Sequence, residues 1–545
     1  MKYGKLLLAL VVAAVMLCGC GQKDAPVSES KDAENGQMET TDDSVEQTES
    51  NAETEETEEI MSKAELAASY FEGLKANLGY KGINETNPLM TQRFGADPYA
   101  MEYDGRVYFY MTADSFEYDA EGNVKENSYS TINTINVIST DDMVNFTDHG
   151  AVYAAGPNGA AKWARNSWAP AAAWKMMNGK PKFFLYFADA GGGIGVLTSD
   201  SPTGPFVDPL GKGLITRDMP NCGNVLWLFD PAVLVDDDGK AYIYFGGGVP
   251  QDKISAPGTG RVAQLSESMI GIEGEPVALD VPYLFEDSGI HKYGNKYYYT
   301  YCSNWQVDAE GTAKYGFTNA EIISMESDSP MGPFVFKEKI LENPGKYCGL
   351  YGNNHHCVFS FKDEWYIAYH TRMLEKKMGI EKGYRATSVD KFEMGEDGTI
   401  GIIKQTTDGR KQLKYVDAYA KNQAVTMAVM SGLDTKPLTE KGSDMILTGI
   451  DSGDFLKVQG VDFGDTTPTK LNAMIRTTAE KGEKCAIQVR IDKMYGDVIG
   501  YIYVEDSADF ANCQAVLEKE VTGVHDLFFI FSGNGYEMES WSFEK

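Results

Sequence analysis

Phe229-Asp-Pro-Ala-Val-Leu-Val-Asp-Asp-Asp-Gly-Lys-Ala-Tyr-Ile-Tyr-Phe245 carries two signals at once. Its second half, an Asp-Gly turn followed by alternating aromatic and aliphatic residues, is a hairpin signature: the turn reverses the chain and β-formers build the return strand. Its first half places a single carboxylate, Asp230, in an apolar strand and follows it with proline. Burying an unpaired carboxylate is costly, so Asp230 calls for a use.

The hairpin recurs. Asp104-Gly-Arg-Val-Tyr-Phe-Tyr-Met111, Asn178-Gly-Lys-Pro-Lys-Phe-Phe-Leu-Tyr-Phe187, Tyr293-Gly-Asn-Lys-Tyr-Tyr-Tyr-Thr-Tyr301 and Lys362-Asp-Glu-Trp-Tyr-Ile-Ala-Tyr369 are further versions. A second element comes after each: Ser139-Thr-Asp-Asp142, Thr198-Ser-Asp-Ser201, Leu265-Ser-Glu-Ser268, Glu326-Ser-Asp-Ser329 and Thr387-Ser-Val-Asp390. Two of these extend into nearly one phrase, Ser199-Asp-Ser-Pro-Thr-Gly-Pro-Phe206 and Ser327-Asp-Ser-Pro-Met-Gly-Pro-Phe334. Copies at roughly 55 to 75 residues indicate a repeat architecture. Several strands per copy predict an all-β, five-bladed β-propeller; a β-sandwich is the runner-up but leaves the paired repeats unexplained.

Counting upstream from each turn gives the site. Asp97 lies eight residues before Gly105, Asp230 nine before Gly239, Glu286 eight before Gly294 and His355 eight before Asp363. At the second copy the corresponding stretch is Ser167-Trp-Ala-Pro170. If these strands are innermost, three carboxylates and a histidine meet at one end of the central channel. Neighbouring carboxylates disfavour joint ionisation, so one stays ionised and another protonated, as a paired base and acid require. Glycoside hydrolysis uses two carboxyl groups without an organic cofactor. A metal site is the competing use, and the aromatic wealth nearby favours sugar.

The rest of the chain bounds the partners. A formal charge of −31 over 545 residues excludes nucleic acid. Two lysines precede a short apolar run ending Leu17-Cys-Gly-Cys20, which reads as a secretory signal and resembles a bacterial lipoprotein box, implying lipidation of Cys20. From Asp24 to Glu59 there are 14 acidic residues against one lysine, so 21–60 is expected to be a disordered acidic linker. That arrangement predicts a protein on the extracellular face of the cell membrane, lipid-anchored. Ala64, Leu66, Tyr70, Phe71, Leu74 and Leu78 predict one amphipathic helix over about 61–80. Cys222, Cys302, Cys348, Cys357, Cys485 and Cys513 show no metal-ligand spacing and are expected to be mostly buried thiols.

From Gln92 to Lys404 the sequence resembles glycoside hydrolase family 43. The resemblance rests on Ala96-Asp-Pro-Tyr-Ala100, Trp168-Ala-Pro170, Gly193 to Phe206, Phe229-Asp-Pro231, Glu286 before Gly289-Ile-His-Lys292, and Tyr369-His-Thr-Arg372. It implies that Asp97 is the general base, Glu286 the general acid, with its neighbour Asp287 as the other reading, and Asp230 the residue that orients Glu286 and adjusts its pKa. It implies inversion at the anomeric carbon. His355, with His356 as the alternative, matches a histidine that helps hold a central ion, often calcium. Arg372 resembles an arginine that contacts substrate, and Trp168 is either a sugar-binding surface or a core residue. Cys222 to Pro231 resembles the arabinofuranosidase and arabinoxylan-acting branches. The expected activity is release of α-L-arabinofuranosyl residues from arabinoxylan, with exo-β-1,4-xylosidase as alternative and a non-catalytic surface polysaccharide-binding lipoprotein as the rival of another class.

Beyond Tyr415 the spacing changes. Ser452 to Gly464, Ile487-Gln-Val-Arg-Ile-Asp492 and Gly523 to Gly533 are alternating strands of a β-sandwich, and over roughly 420–545 they resemble carbohydrate-binding module family 6. Family members often carry acids where Gln423-Ala-Val-Thr-Met-Ala428 stands, and these are absent. Trp541 is open to either a core or a sugar-binding reading. The expected layout is 1–20 signal peptide, 21–60 linker, 61–410 propeller and 415–545 jelly-roll β-sandwich.

Overall fold

The computed structural model describes residues 61–439 and 444–545. The signal peptide, Cys20 and the acidic linker lie outside the described residues. Strands dominate from Ala96 onward. Five antiparallel sheets succeed one another along 96–392: β1 (Ala96–Tyr103), β2 (Arg106–Thr112), β3 (Thr134–Thr140) and β4 (Phe146–Tyr153); β5 (Trp168–Met177), β6 (Lys180–Ala188) and β7 (Ile194–Ser199); β8 (Ala232–Val235), β9 (Ala241–Phe245), β10 (Gly260–Leu265) and β11 (Ile272–Leu279); β12 (Leu284–Tyr293), β13 (Lys296–Ser303), β14 (Ile322–Ser327) and β15 (Val335–Leu341); β16 (His356–Phe361), β17 (Glu364–Thr371) and β18 (Ala386–Phe392). Each Asp-Gly-type turn joins the first two strands of its sheet, as the repeat predicts. The first strands neighbour one another in the order β1, β5, β8, β12, β16, and β16 neighbours β1.

The twin phrases dock one sheet onto its predecessor. After β7, the Pro202 carbonyl accepts from the Tyr110 hydroxyl of β2 at 2.6 Å; after β14, the Pro330 carbonyl accepts from Tyr244 of β9 at 2.6 Å. Phe206 and Phe334 are buried in the corresponding cores. Those tyrosines are deeply buried, so their hydroxyls need partners, and the phrases supply them.

The C-terminal part is a β-sandwich. One sheet orders Val416–Asp417, Phe455–Asp462, Val524–Ser532, Ala486–Ile491 and Val498–Tyr503; the other orders Asp434–Pro437, Met445–Thr448, Tyr536–Glu544, Lys470–Thr477 and Ala511–Val516. Trp541 lies in the core between them, its ring 5.4 Å from that of Phe529. The two halves share a sheet: Thr426–Met427 pairs antiparallel with Thr147 and Phe146 of β4. Beside it, buried Asp148 accepts from Thr435 Oγ1 at 2.6 Å and from Gln92 Nε2 at 3.0 Å, and pairs with Arg93. Among the described residues the six cysteines are unpaired and buried.

The helix expected over 61–80 is shorter. As α1 it spans Lys63–Ser69, with Ser62 and Glu65 forming a capping box. Gly73 takes φ +73°, and Leu78 is 97 % exposed. Beyond the helix, the Asn77 N–H donates to the Gly453 carbonyl at 2.7 Å and Lys81 Nζ to the Ala428 carbonyl at 2.8 Å. Bonds to the sandwich hold this segment out of the helix, overriding the local helical periodicity.

Candidate active site

Four of the five first strands break their ladder at one place. Ala96 pairs with Thr112 and Tyr99 with Tyr110, so Asp97 and Pro98 face a single residue. The same two-against-one bulge holds Ala169 and Pro170 in β5, and Asp287 and Ser288 in β12. At the entry to β8, Gly246 bonds Phe229 while Ala232 pairs with Tyr244, leaving Asp230 and Pro231 between. The first bulge residue is left-handed each time: φ is 48° at Asp97, 41° at Ala169, 49° at Asp230 and 70° at Asp287. Each such residue costs about 1–3 kcal/mol and persists where its surroundings enforce it. A bulge re-aims its side chain, and the strand itself thereby explains Asp230.

This corrects the register read from sequence. The bulge equivalents are Asp97, Ala169, Asp230 and Asp287; Glu286 sits one residue earlier, where Ala96, Trp168 and Phe229 stand. The fifth strand runs on without a bulge, His370 N–H bonding the His355 carbonyl before His356 pairs with Tyr369. Counting back from a turn cannot detect an extra residue in one strand.

Even so, Asp97, Asp230, Glu286 and His355 converge on one cavity of about 470 Å³, walled by Trp168, Trp227, Phe229, Phe285 and Trp305. The four polar groups are buried. Asp97 Oδ1 accepts from Arg385 Nη1 at 2.8 Å and lies 3.2 Å from His370 Nδ1 and 3.6 Å from His355 Nδ1. Burial pushes the Asp97 carboxyl up, but Arg385, His355 and His370 outweigh it and hold it well below the ordinary range. Glu286 goes the other way: burial first, then the carboxylates of Asp230, Asp97 and Asp287, drive it well above. Among the described residues its Oε1 has no hydrogen-bond partner. Asp230 is also driven up, by burial and then Asp97, although its Oδ2 accepts from the Asp287 N–H at 2.9 Å. One carboxyl of the site is thus kept charged and another kept protonated.

Trp168 lines the cavity, its Nε1 donating to the Tyr129 carbonyl at 3.0 Å. Arg372 does not line it. Its guanidinium pairs with buried Glu375 and donates to the Tyr351 carbonyl at 2.9 Å. Glu375 Oε2 in turn accepts from the N–H groups of Lys382, Gly383 and Tyr384 at 2.7–3.0 Å, fixing the loop that delivers Arg385. The arginine in the cavity is Arg385, which sequence reasoning missed. It grips both oxygens of Asp114 at 2.8 and 2.9 Å and lies 4.7 Å over the Tyr129 ring. The available signal was Asp114, a lone acid just past the buried strand β2.

His355 points Nε2 at Asp287 Oδ1, 3.2 Å away, and Nδ1 toward Asp97 and Asp230. His356 turns instead to Asp287 Oδ2 and Thr300. Among the described residues, no group of three or more His, Cys, Asp or Glu side chains is arranged to hold a metal ion. Calcium takes six to eight oxygens; of the carboxylates facing His355, Asp97 is bound to Arg385, Asp287 to His356, and Asp230 accepts from the Asp287 N–H.

Family comparisons agree with this geometry. The model for glycosyl hydrolases family 43 matches residues 85–400, and that for carbohydrate binding module (family 6) matches 423–545. An arabinoxylan arabinofuranohydrolase of Paenibacillus polymyxa is 44 % identical over 478 residues, covering 84 % of this chain and 74 % of that protein. Another, from Bacillus subtilis (strain 168), is 43 % identical over 486 residues, covering 85 % and 93 %. The crystal structure of a glycoside hydrolase family 43 arabinoxylan arabinofuranohydrolase from Bacillus subtilis, in complex with cellotetraose, aligns with TM-score 0.81 at 40 % identity, covering 85 % of this chain and 98 % of that one. Since the family match spans more than half the sequence and the two relatives align along most of it, the chain belongs to glycosyl hydrolases family 43 and is a glycoside hydrolase.

Proposed function

We propose that this chain is an inverting hydrolase that releases α-L-arabinofuranosyl residues from arabinoxylan or its oligosaccharides. The observation that carries the reading is the opposed pair: Asp97 held ionised and Glu286 held protonated on one aromatic-walled cavity. The names of the two relatives supply the sugar and the polymer.

In this mechanism Asp97 takes a proton from water as the water attacks the anomeric carbon, and Glu286 gives its proton to the departing xylose oxygen. The O–H bond of water and the glycosidic C–O bond break together, inverting the centre. The same fields reset the site. Arg385 draws Asp97 back to its anion, and burial beside Asp230 draws a proton back to Glu286. The rings of Trp168, Trp227 and Phe285 offer apolar walls to the sugar faces and exclude bulk water.

Asp230 acts on Glu286 through charge and position. Asp230→Asn removes an anion that raises Glu286, so the acid then loses its proton at lower pH. The expected result is a high-pH limb of kcat shifted to lower pH, with reduced turnover at neutrality; an unchanged profile removes this role from Asp230.

The direct test incubates the protein with arabinoxylan and with nitrophenyl arabinofuranoside and xyloside, identifying the released sugar. Arabinose from the polymer is expected. Xylose alone turns the reading to exo-β-xylosidase, and no sugar from any of the three turns it to the non-catalytic binding lipoprotein. The wider proposal is a five-bladed propeller over 61–410 and a sugar-binding sandwich over 415–545. It is carried on the extracellular face of the membrane by a lipid on Cys20, with 21–60 as an acidic spacer. Any calcium ion at His355 would be held largely through water, and no step of the reaction passes through it.

A further inference from the structure

Behind the cavity lies a buried carboxylate that the reaction above leaves unused. Asp287 is fully buried. Its Oδ1 accepts from the His356 N–H at 3.1 Å and lies 3.2 Å from His355 Nε2; its Oδ2 is 2.5 Å from His356 Nδ1. The far side of the His356 ring meets Thr300, Nε2 to Oγ1 at 2.7 Å. The Asp287 N–H donates to Asp230 Oδ2 at 2.9 Å.

We propose that Asp287 is a positioning residue of this active site, fixing Asp97 and Asp230 relative to one another through His355 and through its own backbone N–H. The inference rests on the hydrolase reading above.

Three costs are incurred at this point of the chain. The carboxylate is buried, its backbone is left-handed at φ 70°, and the strand must carry glycine two residues on. A Cβ at Gly289 would stand 2.3 Å from Thr300 Oγ1 and 3.1 Å from His356 Nε2, so any larger residue would break the His356–Thr300 contact. Together these lock the His356 ring, and the locked ring holds the Asp287 carboxylate against His355. The partner of one imidazole nitrogen determines the tautomer and orientation of the ring. With Nε2 on Asp287, Nδ1 is aimed between Asp97 Oδ1 at 3.6 Å and Asp230 Oδ2 at 3.9 Å. Both carboxylates are thereby referenced to one residue that does not line the cavity. Sequence order conceals this, since Asp287 reads as a neighbour of Glu286.

Asp287 is not among the residues that line the cavity, so its loss should change turnover and spare binding. Misplacing reacting groups by about 1 Å can cost 10²-fold. Asp287→Ala is expected to lower kcat on arabinoxylan by about 100-fold with KM within about threefold. Asp287→Asn, which keeps an acceptor for the His356 N–H and tolerates left-handed φ, is expected to retain about tenfold more of the activity than the alanine variant. Thr300→Val reaches only the far end of the His356 ring and should lower kcat in the same sense by a smaller factor. Melting temperatures and kcat measured well below them separate turnover from folding. If Asp287→Ala does not fold, the Asn and Val variants decide: lowered kcat at parental KM supports the proposal. Parental kcat in both folded variants, or a rise in KM alone, overturns it. A parent that releases no sugar sinks the hydrolase reading and this inference together, whereas an active parent whose variants keep its kcat sinks this inference alone.

Discussion

Glu286→Ala should lower kcat on arabinoxylan by about 10³-fold, within the range a positioned general acid supplies. The loss should be far smaller on a nitrophenyl arabinofuranoside, whose leaving group departs as a stabilised anion and needs little protonation. The pH dependence gives a second signature. Burial and three neighbouring carboxylates raise the Glu286 carboxyl well above its ordinary value. The parent is active while that carboxyl is protonated and loses activity as pH rises through the raised value. In the alanine variant, assayed with the activated substrate, that high-pH fall should disappear. Equal losses on both substrates, or a retained high-pH limb, would remove the acid role from Glu286.

Asp97→Asn should lose between about 10² and 10⁴ in kcat, and lose it equally on polymer and activated substrate. Water must be deprotonated whichever group departs, so leaving-group chemistry offers no relief. Asparagine tolerates the left-handed backbone at this position, and Arg385 keeps both oxygens of Asp114; the variant should therefore fold. In the parent, Asp97 is held well below the usual carboxylate range, so base function should persist far into acid and fail only there. A variant that spared the nitrophenyl substrate would sink the base assignment.

The turn chemistry made the sheets legible: the Asp-Gly and Asn-Gly pairs fall at the hairpins the structure shows, because a tight reversal demands such residues locally. The grouping of Asp97, Asp230, Glu286 and His355 was legible for the same reason, since each sits a nearly constant distance from a turn. What lay beyond reach was non-local. The bulges at Asp97, Ala169, Asp230 and Asp287 are defined by what lies opposite them, so the sequence does not show that Asp287 rather than Glu286 is the equivalent of Asp97 and Asp230. Arg385 belongs to the site only because Asp114 and a loop bonded to Glu375 bring it there. Arg372 stands in a motif, yet its guanidinium pairs with Glu375 outside the cavity lining. The helix is shorter than its periodicity predicts because periodicity takes no account of the sandwich, more than 340 residues downstream, whose Ala428 carbonyl takes Lys81.

The two-residue strand Thr426–Met427 has a bearing on how such chains are rearranged. It occupies the outer edge of β4, so the sandwich supplies part of the catalytic half's own hydrogen bonding, and the segment after α1 binds the sandwich from the other end of the sequence. Exchanging the sandwich for another module would leave β4 with free N–H and C=O groups on an outer edge, the kind of surface that recruits strands from other molecules. The two halves are therefore interlocked, and any graft has to bring a strand of matching register or inherit a chain prone to self-association.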